Sequence, residues 1–500
     1  MKKLIIIIYL IFSIQSYAEE NRRYDKLLSH SENLAYNFDF DSSLSVIQQA
    51  KLLLPERPEA FLLEAQIHLW FYLGSKSKSD YDLFFDLSDS ILTRTENLIS
   101  NSKKKKELLY YLGNVYKFRA IAYGTAGNTL DAFWSTKNAV SLYEEVVEID
   151  SNFYSAYGGI GIFEYALSYV PALFNWALTL SGLTADQKNG FEYIEKAATL
   201  GKKDKIEYNF HLAKLYDEHY ADYKKSLAIL NDLLKKYKDN ILFRYQSAIA
   251  NIKSRNLDKA VTDLEIILNV NHPKFTQTNS FSYFLLGDIY FRKGNFREAL
   301  NHYLTFLTTT NTIDYTGIAS LRTAYCYHFL DNESEFKRYS FLAANGNHDL
   351  EDDSYANEMS IRLLENGLNE DQEFLIKIEN GYLAGKDSQI IDTIGTYVDS
   401  LVTDYIMAEI IYYESSGLIN LNKFQKAKTL IEQTDTLNFE QAPWVKPLLM
   451  FNLAQIYYKE NNFIAALKLL EKAEDENDFQ KKNLIQSNIN GLRKKIMKSY

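Results

Sequence analysis

The sequence predicts an all-α fold in which antiparallel helix pairs stack side by side into a solenoid. Three observations carry that prediction. One spacing of small and large residues recurs: Gly287, Tyr290, Ala299 and Tyr303 form one copy, Ala454, Tyr457, Ala466 and Leu470 a second, and Ala248, Asn251, Ala260 and Leu264 a third. Apolar residues around these marks follow a helical rather than a strand period. Only 20 Gly and 6 Pro occur in 500 residues, too few turn formers for a sandwich or barrel of short strands.

Composition narrows the function classes. With 46% hydrophobic and 24% charged residues the chain packs rather than stays disordered, and 38 Tyr and 30 Phe need something to pack against. Lys and Arg number 55 against 65 Asp and Glu, a net charge of −10, so nucleic acid is not an expected partner. A single cysteine, Cys326, excludes a disulfide within the chain and a cysteine-cluster metal site.

From the N-terminus, Lys2 and Lys3 precede an apolar run from Leu4 to Ile14, and Ser16 and Ala18 stand three and one positions before Glu19. This is the layout of a secretory signal peptide cleaved after Ala18, and the run is short for a spanning helix, which takes about 20 residues. A retained anchor is the alternative; no cysteine follows the run, so a lipid anchor at cysteine is not available. Cleavage removes two positive charges and takes −10 to −12. An exported chain without disulfides points to a bacterial periplasm, with secretion or outer-membrane association as alternatives.

Three regions follow: divergent helical repeats over 19–200 with an apolar kinked segment at 157–190, regular repeats over 201–345, and further repeats over 346–500. In the first, Ser43, Ile47 and Ala50 lead to Pro55 as a second helix ended by proline, and Ala139, Tyr143 and Val146 mark another. Copies at Ala213, Ala248 and Gly287 follow one another by 35 and 39 residues. Weaker copies join Ala213 and Tyr216 to Ser226 and Leu230, and Ser415 and Leu418 to Ala427 and Ile431; a degenerate one has Ala324, Tyr327 and Phe336. Between Asn345 and Asp353 the period lapses, which predicts a solvated loop. Its acids, Asp349, Glu351, Asp352 and Asp353, lack the alternation and central glycine of a calcium loop.

The recurring spacing resembles the tetratricopeptide repeat (TPR). Small residues such as Gly287 and Ala299 sit where two helices cross closely, and Tyr290 and Tyr303 fill the space beside them. That resemblance implies a right-handed superhelix. Residues 153–200 depart from the simple repeat: a Gly-rich stretch with Gly158, Gly159 and Gly161 is followed by Ser168, Pro171, Gly182, Asp186 and Gly190. Over about residues 130–340 this resembles the fungal inclusion-body clearance proteins and their animal relatives, the tetratricopeptide repeat protein 39 family, which share a Gly-rich helix, a Ser-x-x-Pro kink and a Gly-x-x-x-Asp-x-x-x-Gly stretch. The resemblance brings no catalytic residues, and the export signal sets this chain apart from the cytosolic members. The stretch from Tyr165 to Leu183 is the longest apolar run of the mature chain, readable as buried core or as peripheral membrane contact. The glycines at 158–161 read as close helix packing, since no strand precedes them and no Lys-Ser/Thr follows.

No constellation for chemistry emerges, so the chain reads as non-enzymatic, with no cofactor and no metal. None of the eight histidines forms a zinc pair; His211 and His219 read as exposed, and Cys326 as a buried, inert thiol. In TPR-like solenoids the first helix of each pair lines the concave face. Counting from the crossing residue gives Tyr245, Ile249 and Ile252, then Phe284, Asp288 and Phe291, then Leu321, Tyr325 and His328, then Phe451, Gln455 and Tyr458 as the candidate binding face. Its aromatic character fits a protein partner, as an extended peptide or helix, or alternatively a small apolar or lipid-like ligand. The expected function is an exported scaffold for protein–protein interaction in the bacterial envelope; the alternative is a periplasmic carrier of an apolar ligand.

Overall fold

The computed structural model describes residues 2–99, 105–169, 181–397, 404–478 and 480–499. Regular structure among the described residues is all helical, with twenty-four α-helices. The first eight are α1 (Lys2–Tyr36), α2 (Phe40–Leu53), α3 (Glu59–Ser75), α4 (Lys78–Ile99), α5 (Lys105–Thr125), α6 (Thr129–Ile149), α7 (Tyr154–Leu167) and α8 (Gln187–Leu200). Then come α9 (Lys205–Glu218), α10 (Tyr223–Lys236), α11 (Ile241–Lys253), α12 (Leu257–Val270), α13 (Thr276–Arg292), α14 (Phe296–Thr309), α15 (Thr316–Phe329) and α16 (Glu333–Leu342). The last eight are α17 (Glu351–Asn366), α18 (Glu370–Leu383), α19 (Asp387–Tyr397), α20 (Asp404–Asn420), α21 (Phe424–Glu432), α22 (Val445–Lys459), α23 (Phe463–Asp475) and α24 (Lys482–Ser499). Contact clustering resolves two compact units: residues 1–213, 229–243 and 272–276 form the first, and 214–228, 244–271 and 277–500 the second.

In both units short turns reverse the chain between helices that pack on each other, which is the all-α repeat architecture. One turn recurs in the second unit. Arg255, Gly294, Asp331, Asn422 and Asn461 take left-handed backbone. In each case the next residue's N–H returns to a carbonyl five positions back: Asn256 to Asn251 at 2.8 Å, Asn295 to Tyr290 at 2.9 Å, Asn332 to Tyr327 at 2.9 Å, Lys423 to Leu418 at 2.8 Å and Asn462 to Tyr457 at 2.8 Å. This six-to-one bond closes a helix whose last carbonyls otherwise go unpaired. The accepting residues are the second marks of the repeat spacing, so the period seen in the sequence is also the period of the turn. Asn295, Asn332 and Asn462 then accept the N–H three residues on and start the next helix.

The crossings follow from missing side chains. In the second unit a Cβ on Gly287 would stand 2.6 Å from Tyr303 Cδ1, so only glycine lets the fully buried Tyr303 ring lie against α13. The Tyr303 hydroxyl donates to Asp288 Oδ1 at 2.7 Å, which removes the penalty of burying it. The first unit repeats the device. A Cβ on Gly113 would meet Tyr143 Cε1 at 2.6 Å, Gly159 closes on the same ring from α7, and the Tyr143 hydroxyl donates to Asn114 Oδ1 at 2.7 Å. Gly158 faces the Tyr208 ring, and Gly161 and Gly190 bring the backbones of α7 and α8 together. Helix packing accounts for the Gly-rich segment.

Two sequence expectations are corrected. The acidic stretch at 345–353 is a loop only as far as Leu350, with Asp349 exposed: Glu351, Asp352 and Asp353 form the first turn of α17, and Asp353 is fully buried. Its carboxylate accepts the N–H of Ile318 and of Asn347, each at 2.8 Å, and so ties the N-terminus of α15 to the turn before α17. Likewise His219 is buried, 8% exposed, rather than solvated, because its ring packs on Tyr220. Pro171 and most of the apolar run from Tyr165 to Leu183 lie outside the described residues; of its ends, Tyr169 is exposed and Leu183 is buried in the first unit's core. Among the described residues no helix is long and apolar enough to cross a membrane.

Candidate functional site

A cavity of about 180 Å³ opens in the second unit. Four helices each turn one stripe toward it, at spacings of three and four that share a helix face. From α15 come Ile318, Leu321, Arg322 and Tyr325; from α17, Asp352, Tyr355, Met359 and Arg362; from α18, Gln372, Leu375, Ile376 and Glu379; from α20, Tyr405 and Glu409. Phe291 of α13, Trp444 before α22 and Lys481 before α24 also line it, as do Glu351 and Glu358 of α17 and Gln441. Phe291, Ile318, Leu321, Tyr325 and Trp444 are buried, so part of the lining is apolar and aromatic.

Its charges fall into two classes. Some are already paired. Arg322 forms an ion pair with Asp288, which Tyr303 also holds. Burial works against the Arg322 charge, and Asp288 and Tyr303 outweigh it, so the guanidinium titrates above its ordinary value. Lys481 Nζ lies 3.4 Å from Glu379 Oε1 and 3.2 Å from the Tyr413 hydroxyl, which donates to Glu379 at 2.6 Å. Burial alone would raise Glu379, yet Lys481 and Tyr413 bring it below the usual carboxylate range. The Lys481 ammonium also sits 3.8 Å over the Trp444 ring. Glu358 accepts from Gln480 at 2.7 Å, and burial raises the Glu351 carboxyl against the pull of the Lys482 and Asn483 backbone N–H groups.

Glu409 belongs to the second class. It stands partly buried in the apolar run Ile406-Met407-Ala408-Glu409-Ile410-Ile411 and has neither a hydrogen bond nor an ion pair. Burial pushes its carboxyl up to about 8; Lys481 and Arg362 pull the other way without reaching it, and Glu379 adds to the rise. The hydroxyls of Tyr325 and Tyr355 are likewise unpartnered. None of these oxygens is sealed from solvent, and an apolar cavity on which a few polar groups converge is the usual form of a binding site.

The structure brings Phe291, Leu321 and Tyr325 of the sequence-derived face into this lining and sets Asp288 behind it as the partner of Arg322. Phe284 packs with Tyr303, Phe306 and Tyr315. His328 is engaged with Glu373 at 2.8 Å. Tyr245, Ile249 and Ile252 are buried or partly buried elsewhere in the unit, and Phe451, Gln455 and Tyr458 of α22 are not among the lining residues. Sequence reasoning missed Glu409, Tyr355, Trp444 and Lys481. One signal was present for the first: a lone carboxylic acid inside an apolar helical run. Cys326 is buried, and burial pushes its thiol well above the ordinary value. Among the described residues no three His, Cys, Asp or Glu side chains are placed to hold a metal ion.

The sequence matches no family model and no curated protein. Among solved structures the chain is similar to a Rap protein complexed with competence and sporulation factor, at 13% identity over 83% of this chain and 97% of that one, with a TM-score of 0.33. It is similar to yeast Tom70 at 13% identity over 96% and 93% of the two chains, TM-score 0.30. It is also similar to human IFIT1 at 13% identity over 90% and 94%, TM-score 0.32.

Proposed function

We propose that the chain is an exported, non-catalytic TPR-like scaffold of the bacterial envelope that binds a protein partner through the cavity of its second unit. The observation that carries this reading is the contrast within one cavity: Arg322, Lys481 and Glu379 are paired, while Glu409, Tyr325 and Tyr355 face the opening unpartnered beside an aromatic wall. A surface prepared for water alone has no reason to leave a carboxyl group half desolvated next to apolar rings. An extended segment or a helix meets such a site with side chains that enter the cavity and a backbone that stays at its rim. Export rests on Lys2, Lys3 and the apolar run before Ala18.

The test is isolation of the chain from its native cells after crosslinking. The expected result is a stoichiometric protein partner whose crosslinks map to α15, α17 and α18, on a chain whose N-terminus is Glu19. Bound lipid with no protein partner would overturn the scaffold reading, and an N-terminus at Met1 would overturn export.

A further inference from the structure

Three basic side chains line the cavity, Arg322, Arg362 and Lys481, against five carboxylic acids, Glu351, Asp352, Glu358, Glu379 and Glu409. The excess is acidic, and Glu409 has neither a hydrogen bond nor an ion pair. The cations near it are Lys481 and Arg362, and neither is bonded to it. Lys481, at the start of α24, is held by Glu379 of α18 and Tyr413 of α20; Arg362 of α17 is exposed at the rim; Tyr325 of α15 and Tyr355 of α17 are neutral at ordinary pH.

The chain itself displays what this lining accepts. Lys481 places an ammonium against Glu379 and over Trp444, which is one acid and one ring satisfied by one lysine. Glu409, with Tyr325 and Tyr355 beside it, offers a second acid and further rings, and no cation of the chain forms an ion pair with that acid. The cavity, about 180 Å³, is below the roughly 300–1,000 Å³ of small-molecule sites and suits a single long side chain.

We propose that this cavity seats the cationic side chain of an extended peptide, a lysine or arginine whose apolar stem lies along Tyr325, Tyr355 and Trp444 and whose charge meets Glu409. The proposal rests on the peptide-binding reading above and names the residue class that it selects. Binding is linked to pH. Burial holds Glu409 protonated up to about pH 8, and an arriving cation displaces that proton, so affinity rises as pH goes from 6 to 8.5.

The experiment titrates the full chain and its Glu409→Gln variant with three probes: an end-blocked alanine nonapeptide carrying one central lysine, the same peptide with norleucine there, and n-butylamine. The lysine peptide should bind at least tenfold more tightly than the norleucine peptide, with affinity rising between pH 6 and 8.5. Both effects should vanish in Glu409→Gln, whose melting temperature at pH 6 should match the parent. Equal binding of the two peptides overturns the cation seat and leaves the peptide-binding reading standing. Butylamine binding as tightly as the lysine peptide overturns the peptide occupant, and binding of none of the three overturns both.

Discussion

Burial of one imidazole ties the fold to pH. His219, just past α9, packs edge-on to Tyr220 with ring centroids 4.5 Å apart, and burial, reinforced by the Lys494 charge, holds its pKa down to about 4. An unfolded histidine titrates near ~6.5. The unfolded chain therefore takes up a proton that the folded chain refuses. The stability His219 carries is complete above that value and is lost as pH falls toward 4, by about 3 kcal/mol at the lower end. Urea unfolding of the parent chain and of His219→Gln at pH 7.5 and pH 4 isolates this term, because the other titrating groups are common to both. The gap between the two chains should shift by about 3 kcal/mol between the two conditions. A shift below about 1 kcal/mol would mean that His219 charges in place.

At the scale of elements, the informative unit is a helix end held by a side chain from another helix. Asp353 in α17 accepts the Ile318 N–H inside the first turn of α15, where a carboxylate also meets the positive end of the helix dipole. Two glycines make room for it. A Cβ on Gly346 would stand 2.5 Å from the Asp353 Cγ, and one on Gly317 would stand 3.0 Å from its Oδ1. Gly346 has φ of −79°, so its need for glycine is steric and not conformational. Gly346→Ala should accordingly cost about 2 kcal/mol in urea unfolding, the range for overpacking beside a buried carboxylate. A cost under about 0.5 kcal/mol would show that the carboxylate has room to move.

For the whole molecule, stability in a repeat protein is a sum of neighbour interfaces, each helix pair covering the apolar face of the next. Helix α24 performs that service in the second unit. Ile485, Ile489, Leu492 and Ile496 are 1%, 0%, 6% and 0% exposed, and Gly491 lets the helix close on the Tyr220 carbonyl. Four such side chains contribute about 1.5–3 kcal/mol each, comparable together with the stability of an entire domain. A chain ending at Lys481 should therefore lose more helical signal than the missing residues account for, and should elute as aggregates in size-exclusion chromatography. An unchanged melting temperature would show that the unit stands without this cover.

The sequence by itself determined the helix pairs. Gly287, Ala299, Tyr303 and their counterparts are legible because a close crossing needs a small residue opposite a large one, a requirement local enough to recur at fixed spacing. The same holds for the turns, whose accepting carbonyls belong to Asn251, Tyr290, Tyr327, Leu418 and Tyr457. Part of the candidate site was legible by that route, since Phe291, Leu321 and Tyr325 share helix faces with those marks. The rest was decided only by tertiary structure. Asp353 reads as a solvated acid until the N-terminus of α15 meets it, and Lys481 carries no signal in the sequence until Glu379 and Trp444 enclose it. Periodicity reports which face of a helix is apolar. Whether a charge on that face finds a partner depends on distances between helices remote in sequence, and Glu409, left without one, is visible only when those distances are known.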